Sequence, residues 1–164
     1  MIRPAVADDC RNLAALSIEV WLHTYALNGV RDDAARYVLD TFTADYFAER
    51  IASPRYRLYV HAVDGYLQGY VCLDLETRCP VAGQAGVEVE KLYVQAHFKG
   101  QGIGSALLRA AMQDVGSKLW LSTWVHNAPA IGYYLAFGFN DIGQTWFELD
   151  GQQHENRVLA YAGS

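Results

Sequence analysis

The sequence predicts one α/β domain covering residues 1–164, and three observations carry that expectation. Strand-like and helix-like runs alternate along the chain, the pattern that packs helices against a sheet. At 164 residues the chain has the length of one domain, and with 52% hydrophobic and 19% charged residues it can fill a core and is not a disordered segment. No internal repeat, linker or low-complexity tract divides it.

The elements follow in order. Ile2 to Val6 is a short apolar run that reads as a strand. Asp8 and Asp9 then suit the cap of a helix carrying Leu13, Leu16, Val20 and Trp21 at helical spacing and ending near Asn28 and Gly29. A second helix begins at Arg31 to Asp33, and a third runs from near Thr43 to Ala52, closed by Ser53 and Pro54. Arg57 to Val63 and Tyr66 to Leu75 read as strands joined by Asp64-Gly65, a dipeptide favoured in tight hairpins. A loop from Glu76 to Gly86 leads into a strand from Val87. A helix from Ile103 to about Asp114, a strand at Lys118 to Val125 and a helix from Pro129 to Phe137 come next. The chain closes with a hairpin, Asn140 to Leu149 and Asn156 to Tyr161, turning at Asp150-Gly151.

Composition narrows the function. A formal net charge of -5 without a cluster of Lys and Arg argues against a nucleic-acid partner and modestly favours approach of a cation. No run of eighteen apolar residues spans a membrane, and MIRPAVADDCRN has no apolar core of a signal peptide, so a cytoplasmic protein is expected. Cys10, Cys72 and Cys79 are odd in number and lack CxxC spacing, which argues against a disulfide framework or a metal knuckle. No metal is expected.

The most informative stretch is VEVEKLYVQAHFKGQGIGSALL, Val87 to Leu108, a strand emptying into a glycine-rich turn that opens a helix. Gly100, Gly102 and Gly104 let a ligand approach the main chain, and the free N–H groups and dipole of a helix N-terminus favour a phosphate there. A P-loop would need Lys and Ser or Thr at the end of the glycines, whereas Lys99 precedes them. A dinucleotide fingerprint would need an acid about twenty positions on, where the chain instead has His126 and Asn127 at the end of a strand-like run.

Lys99 to Gly104 resembles the Q/R-x-x-G-x-G/A pyrophosphate loop of the GCN5-related N-acetyltransferases, the GNAT superfamily, with Lys99 in the place of Gln or Arg. NAPAIGYYLAFGF, Asn127 to Phe139, resembles the same family's N-x-x-A-x-x-x-Y-x-x-x-G-F helix, and the order of elements is also the family's. The resemblance implies a single-domain fold with a mixed, mostly antiparallel sheet of six to seven strands flanked by helices. It implies acetyl-coenzyme A as co-substrate, held by Lys99, Gly100, Gln101, Gly102, Ile103, Gly104 and Ser105 at its pyrophosphate. Leu92, Tyr93 and Val94 would pair with the pantetheine arm, their N–H groups would meet the oxyanion, and Asn127 would touch the cofactor. The amino-terminal half is similar, more loosely, to bacterial polyamine acetyltransferases of the PaiA type, through Trp21, Thr24, Tyr25, Asn28, Asp32 and Tyr37, as is WFELDGQQHEN near the end.

Attack of a free amine on a thioester forms an oxyanion and expels a thiolate, so the site must deprotonate the amine and protonate the sulfur. Tyr134, four residues before Gly138 as the motif requires, is the candidate acid, because a phenol stays protonated at neutral pH. Glu90 and Glu88, two apart on a strand and so on one face, are the candidate bases, Glu90 being preferred as nearer the bulge of that strand with Glu88 as its substitute, and His126 is a further candidate. Trp21, Tyr25 and Tyr37 are candidates for an acceptor pocket, with Tyr46 and Phe47, among Glu19, Asp32, Asp33, Asp40 and Asp45. The expected activity is direct transfer of acetyl from acetyl-coenzyme A to a primary amine, a polyamine in the first instance. A protein N-terminus, an amino acid, an antibiotic amine, or a non-catalytic sensor of the cofactor are the alternatives. The closing hairpin is compatible with a homodimer.

Overall fold

The structure, a computed structural model, describes residues 1–162. The chain runs β1 (Ile2–Pro4), a 3-10 turn at Ala7–Asp9, α1 (Cys10–Tyr25), α2 (Asp32–Thr41), α3 (Ala44–Ala52), β2 (Tyr56–Val63), β3 (Tyr66–Asp74) and β4 (Val87–Val94). A second 3-10 turn at Ala96–Phe98 precedes α4 (Ile103–Val115), β5 (Leu119–Trp124), α5 (Ala128–Phe137), β6 (Phe139–Leu149) and β7 (Gln152–Tyr161). The strands form one sheet in the order β1-β2-β3-β4-β5-β7-β6, antiparallel at every junction except β4 with β5. This is the α/β architecture with seven strands that the sequence led us to expect. Among the described residues no helix is long and apolar enough to cross a membrane.

Each face of the sheet carries its own core. On one side α1, α2 and α3 cover Leu58, Val60, Tyr70 and Cys72 with Leu13, Trp21, Val38 and Phe47. Ser17 supplies a buried hydroxyl 2.7 Å from that of Tyr70, so the phenol in this core has a partner. On the other side α4 and α5 cover Val71, Leu73, Val89 and Leu121 with Leu107, Leu108 and Tyr134. Burying one aromatic or aliphatic side chain of this size contributes about 1.5–3 kcal/mol.

Three local details differ from the sequence expectation. Asp9 stands at the start of α1 but does not cap it, because Arg3 holds both carboxylate oxygens at 2.8 and 3.0 Å while the N–H of Val6 donates to one of them. The helix ends at Tyr25, before Asn28. β7 begins at Gln152 rather than Asn156, because Asp150 and Gly151, with φ of 51 and 77°, make a tight turn that lets the strands pair from its first residue.

Two irregularities of β4 shape everything that follows. Its parallel pairing with β5 consists of Val87 with Leu119 and Glu88 with Trp120, after which the strands part. On its other edge Cys72 pairs with Lys91 and Leu73 with Val89, so Glu90 is an extra, bulged residue. A bulge interrupts alternation and re-aims the side chains beside it.

Candidate active site

The parting of β4 and β5 opens a cleft of about 1040 Å³, walled by Val89 to Val94 on one side and Leu121 to Trp124 on the other. At one end lies the start of α4. Gly102 precedes the helix with φ 81°, and Gly100 has φ 81° as well, a left-handed backbone that costs other residues about 1–2 kcal/mol. The first N–H groups of α4, from Ile103 on, have no acceptor within the helix and face the cleft, with the exposed Lys99 beside them. Gly100, Gly102, Ile103, Gly104 and Ser105 line the cleft, whereas Gln101 is exposed and off its wall. The hydroxyl of Ser105 is 2.8 Å from that of Tyr133, and a β-carbon on Gly104 would come within 3.3 Å of the same phenol oxygen, so Gly104 seats α5 against α4.

Tyr134 enters the cleft from α5. Its ring is wedged between Tyr133 and Phe139 at centroid distances of 5.4 and 5.5 Å and is 9% exposed. Burial pushes the phenol well above its ordinary value, so it is protonated throughout the physiological range. Asn127 stands at the N-cap of α5, where its side-chain oxygen accepts from Ala130 N–H at 3.4 Å, and it too lines the cleft.

The two glutamates expected as bases part company. Glu90 lines the cleft, but Arg50 of α3 grips it through Nε and Nη2, at 3.0 and 3.1 Å, and the Tyr46 hydroxyl donates to it at 3.5 Å. Glu88 lies at the closed root of the β4–β5 junction, off the cleft wall, beside Asp74. Burial, then the repulsion of Glu90 and Asp74, raises its carboxyl to about 7. Glu88 thus stands one step behind the cleft wall, its carboxylate within 4.8 Å of that of Glu90. Asp74, Glu88 and Glu90 have oxygens within 4.8 Å of one another, yet Arg55 and Arg50 neutralise two of the three. His126 is exposed and off the wall.

The opposite end of the cleft is aromatic. Trp21 stacks on Tyr37 at 4.9 Å and lies against Tyr25 at 4.8 Å, and Tyr25 meets Trp124 of β5 at 5.3 Å. Burial raises the Tyr25 phenol to about 12. Thr24, Asn28 and Asp33 also line this end. Tyr46, Phe47, Glu19, Asp32, Asp40 and Asp45 do not: Phe47 is core, and the acids lie on outer faces.

A family model described as the acetyltransferase (GNAT) family matches residues 19–139. The chain belongs to that family. As a GNAT acetyltransferase it uses acetyl-coenzyme A as co-substrate. It is 28% identical over 160 residues, 94% of this chain and 92% of the other, to an uncharacterized N-acetyltransferase of Lactobacillus delbrueckii subsp. lactis. It is 31% identical over 127 residues, 74% of this chain and 76% of the other, to one of Mycobacterium tuberculosis. In fold it is similar to the PaiA N-acetyltransferase of Thermoplasma acidophilum solved with coenzyme A, with a TM-score of 0.78, 18% identity and 96% of each chain covered. The NAA60 protein of Arabidopsis thaliana, solved with a bisubstrate analogue, is similar at a TM-score of 0.74 and 17% identity, covering 100% of this chain and 99% of that one.

Sequence reasoning about this GNAT site missed Arg50, Lys91, Trp124 and Phe147. Lys91 and Phe147 line the cleft, and Arg50 pairs with Glu90. Strict alternation along β4 would send Lys91 to the face opposite Glu90, and only the bulge puts both on the α1–α3 side.

Proposed function

We propose that this GNAT protein moves the acetyl group of acetyl-coenzyme A directly to a primary amine that enters the cleft at its aromatic end. The observation that carries the reading is that one cleft is bordered by the free N–H groups of α4, the unpaired edge of β4 and Tyr134. In this reading the loop from Lys99 to Ser105 takes the pyrophosphate, and Leu92, Tyr93 and Val94 pair through their main chain with the pantetheine arm. The amine nitrogen attacks the thioester carbon, the carbon–nitrogen bond forms, and main-chain N–H groups of β4 stabilise the oxyanion. The carbon–sulfur bond then breaks, and the protonated phenol of Tyr134 gives its proton to the departing sulfur. Glu90, with lone pairs left over by Arg50, takes the ammonium proton through water.

A polyamine acceptor is supported by the amino-terminal succession from Trp21 to Tyr37 and by the likeness in fold to the PaiA protein. The charges on the wall speak for a different amine. Of the acids proposed for that pocket only Asp33 lines it, and Arg31 lies 3.7 Å from it, while Glu90 is held by Arg50.

The test follows free thiol release from acetyl-coenzyme A against polyamines, amino acids, aminoglycosides and short peptides. Tyr134→Phe is expected to lower kcat by about a hundredfold or more with coenzyme A affinity kept. Equal rates for both proteins would remove Tyr134 from the mechanism. Cofactor binding without thiol release on any amine would turn the reading towards a sensor.

A further inference from the structure

Lys91 lines the cleft, and its ammonium, on the α1–α3 side, lies 5.7 Å from the centre of the Phe42 ring. Among the described residues it makes no hydrogen bond and no ion pair. The groups around it do not neutralise it. Glu90 is the acid that acts on it most strongly, but both oxygens of Glu90 already take Arg50, itself a second cation. The Cys72 thiol is held neutral, first by burial and then by Glu90, and Glu88, farther along the strand, is raised to about 7. At the mouth, Arg31 and Asp33 answer each other. The result is a surplus positive charge in a partly buried place, where burial lowers the ammonium's pKa. An unpaired buried cation is costly unless an anion joins it.

We infer that Lys91 is the anion subsite for the acceptor, so that the amine acetylated here carries a carboxylate, on an apolar or aromatic body seated against Trp21, Tyr25 and Tyr37. The inference rests on the acetyl-transfer reading and names the acceptor class within it. The coenzyme's phosphates do not compete for Lys91, because they belong at the start of α4, on the other face of the sheet from α1–α3. Nor does a polyamine suit the place, since a second ammonium there would meet Lys91.

Two measurements decide it. In the first, kcat/KM is compared for matched amines with and without a carboxylate, phenylalanine against phenethylamine and 6-aminohexanoate against hexylamine, in wild type, Lys91→Met and Lys91→Arg. Dividing the wild-type preference by that of Lys91→Met cancels the different basicities of the two amines. The quotient is expected at about 10- to 100-fold in at least one pair, carried by KM, with Lys91→Arg restoring part of it. A quotient near one, or an equal fall in kcat for both members, would overturn the subsite and place Lys91 in the transfer itself. The second measurement needs no turnover and no variant. Lys91, Lys99 and Lys118 are the only lysines, so 13C-lysine labelling resolves each. Adding 3-phenylpropionate to wild type is expected to move the Lys91 Cε resonance and raise its titration point, and adding 3-phenylpropanol is expected to leave both unchanged. A response here with no amine acetylated would sink the transfer reading and keep the subsite; indifference to 3-phenylpropionate would sink the subsite.

Discussion

The two ends of the cleft are made of different material. The end proposed for the phosphates is built from main chain: a short loop, two glycines with left-handed backbone and the first N–H groups of one helix, all within Lys99 to Ser105. The end proposed for the acceptor is lined by residues drawn from α1, α2, the β4 bulge, β5 and the closing hairpin. A main-chain site depends on local conformation and suits a ligand part that does not vary. A side-chain site can be rewritten one residue at a time with the backbone left alone. One fold can therefore keep its cofactor and change its acceptor.

That contrast can be broken at either end. The largest effect is expected from Gly102→Glu, which forces a left-handed backbone on a residue with a β-carbon and aims a carboxylate at the phosphates. Calorimetric titration with coenzyme A is expected to show affinity reduced by more than about a hundredfold, with the fold kept; unchanged affinity would mean the phosphates bind elsewhere. Arg50→Met strikes the acceptor end and is expected to cost stability rather than cofactor affinity. It leaves the half-buried Glu90 without its clamp, at about 2–3 kcal/mol by urea denaturation. A loss below about 0.5 kcal/mol would show that Lys91 takes over the pairing. The smallest effect concerns Glu88, whose carboxyl is raised from 4.5 to about 7. The folded state holds that proton more tightly, so this residue's contribution is intact below pH 4.5 and is lost as pH rises through about 7. Glu88→Gln is expected to gain about 1–2 kcal/mol at pH 8, after allowance for screening, and nothing at pH 4. An equal gain at both would show that charge is not the cause.

The same contrast explains what could be read from the sequence. The loop after β4 and the Asn127-to-Phe139 helix are contiguous, so their residues announce their spacing directly, and Tyr134 lands in the cleft as its place in the motif implied. The tight turns at Asp64-Gly65 and Asp150-Gly151 were legible for the same reason. The acceptor end was legible only in part. Trp21, Tyr25 and Tyr37 reach the cleft, but their partner Trp124 arrives from β5, and no local pattern links them. Glu88 and Glu90 keep their carboxylates within 4.8 Å of each other, as their spacing implied, but Lys91 was missed because a bulge is a property of pairing between two strands: one extra residue in β4 turns it to the side of Glu90. Arg50, 40 residues upstream of Glu90, gives no sequence sign of the grip it exerts.

The early parting of β4 and β5 has a consequence for solubility. From Val89 to Val94, β4 has no ladder partner on its β5 side, and a bare strand edge ordinarily invites a neighbouring chain to add to the sheet. This edge lies between the two halves of one sheet, with α4 and α5 across one face, so a second protein's strand would have to enter the cleft to reach it. In the reading proposed above, the slender, amide-bearing arm of the cofactor takes that place and covers the edge a neighbouring copy would otherwise meet.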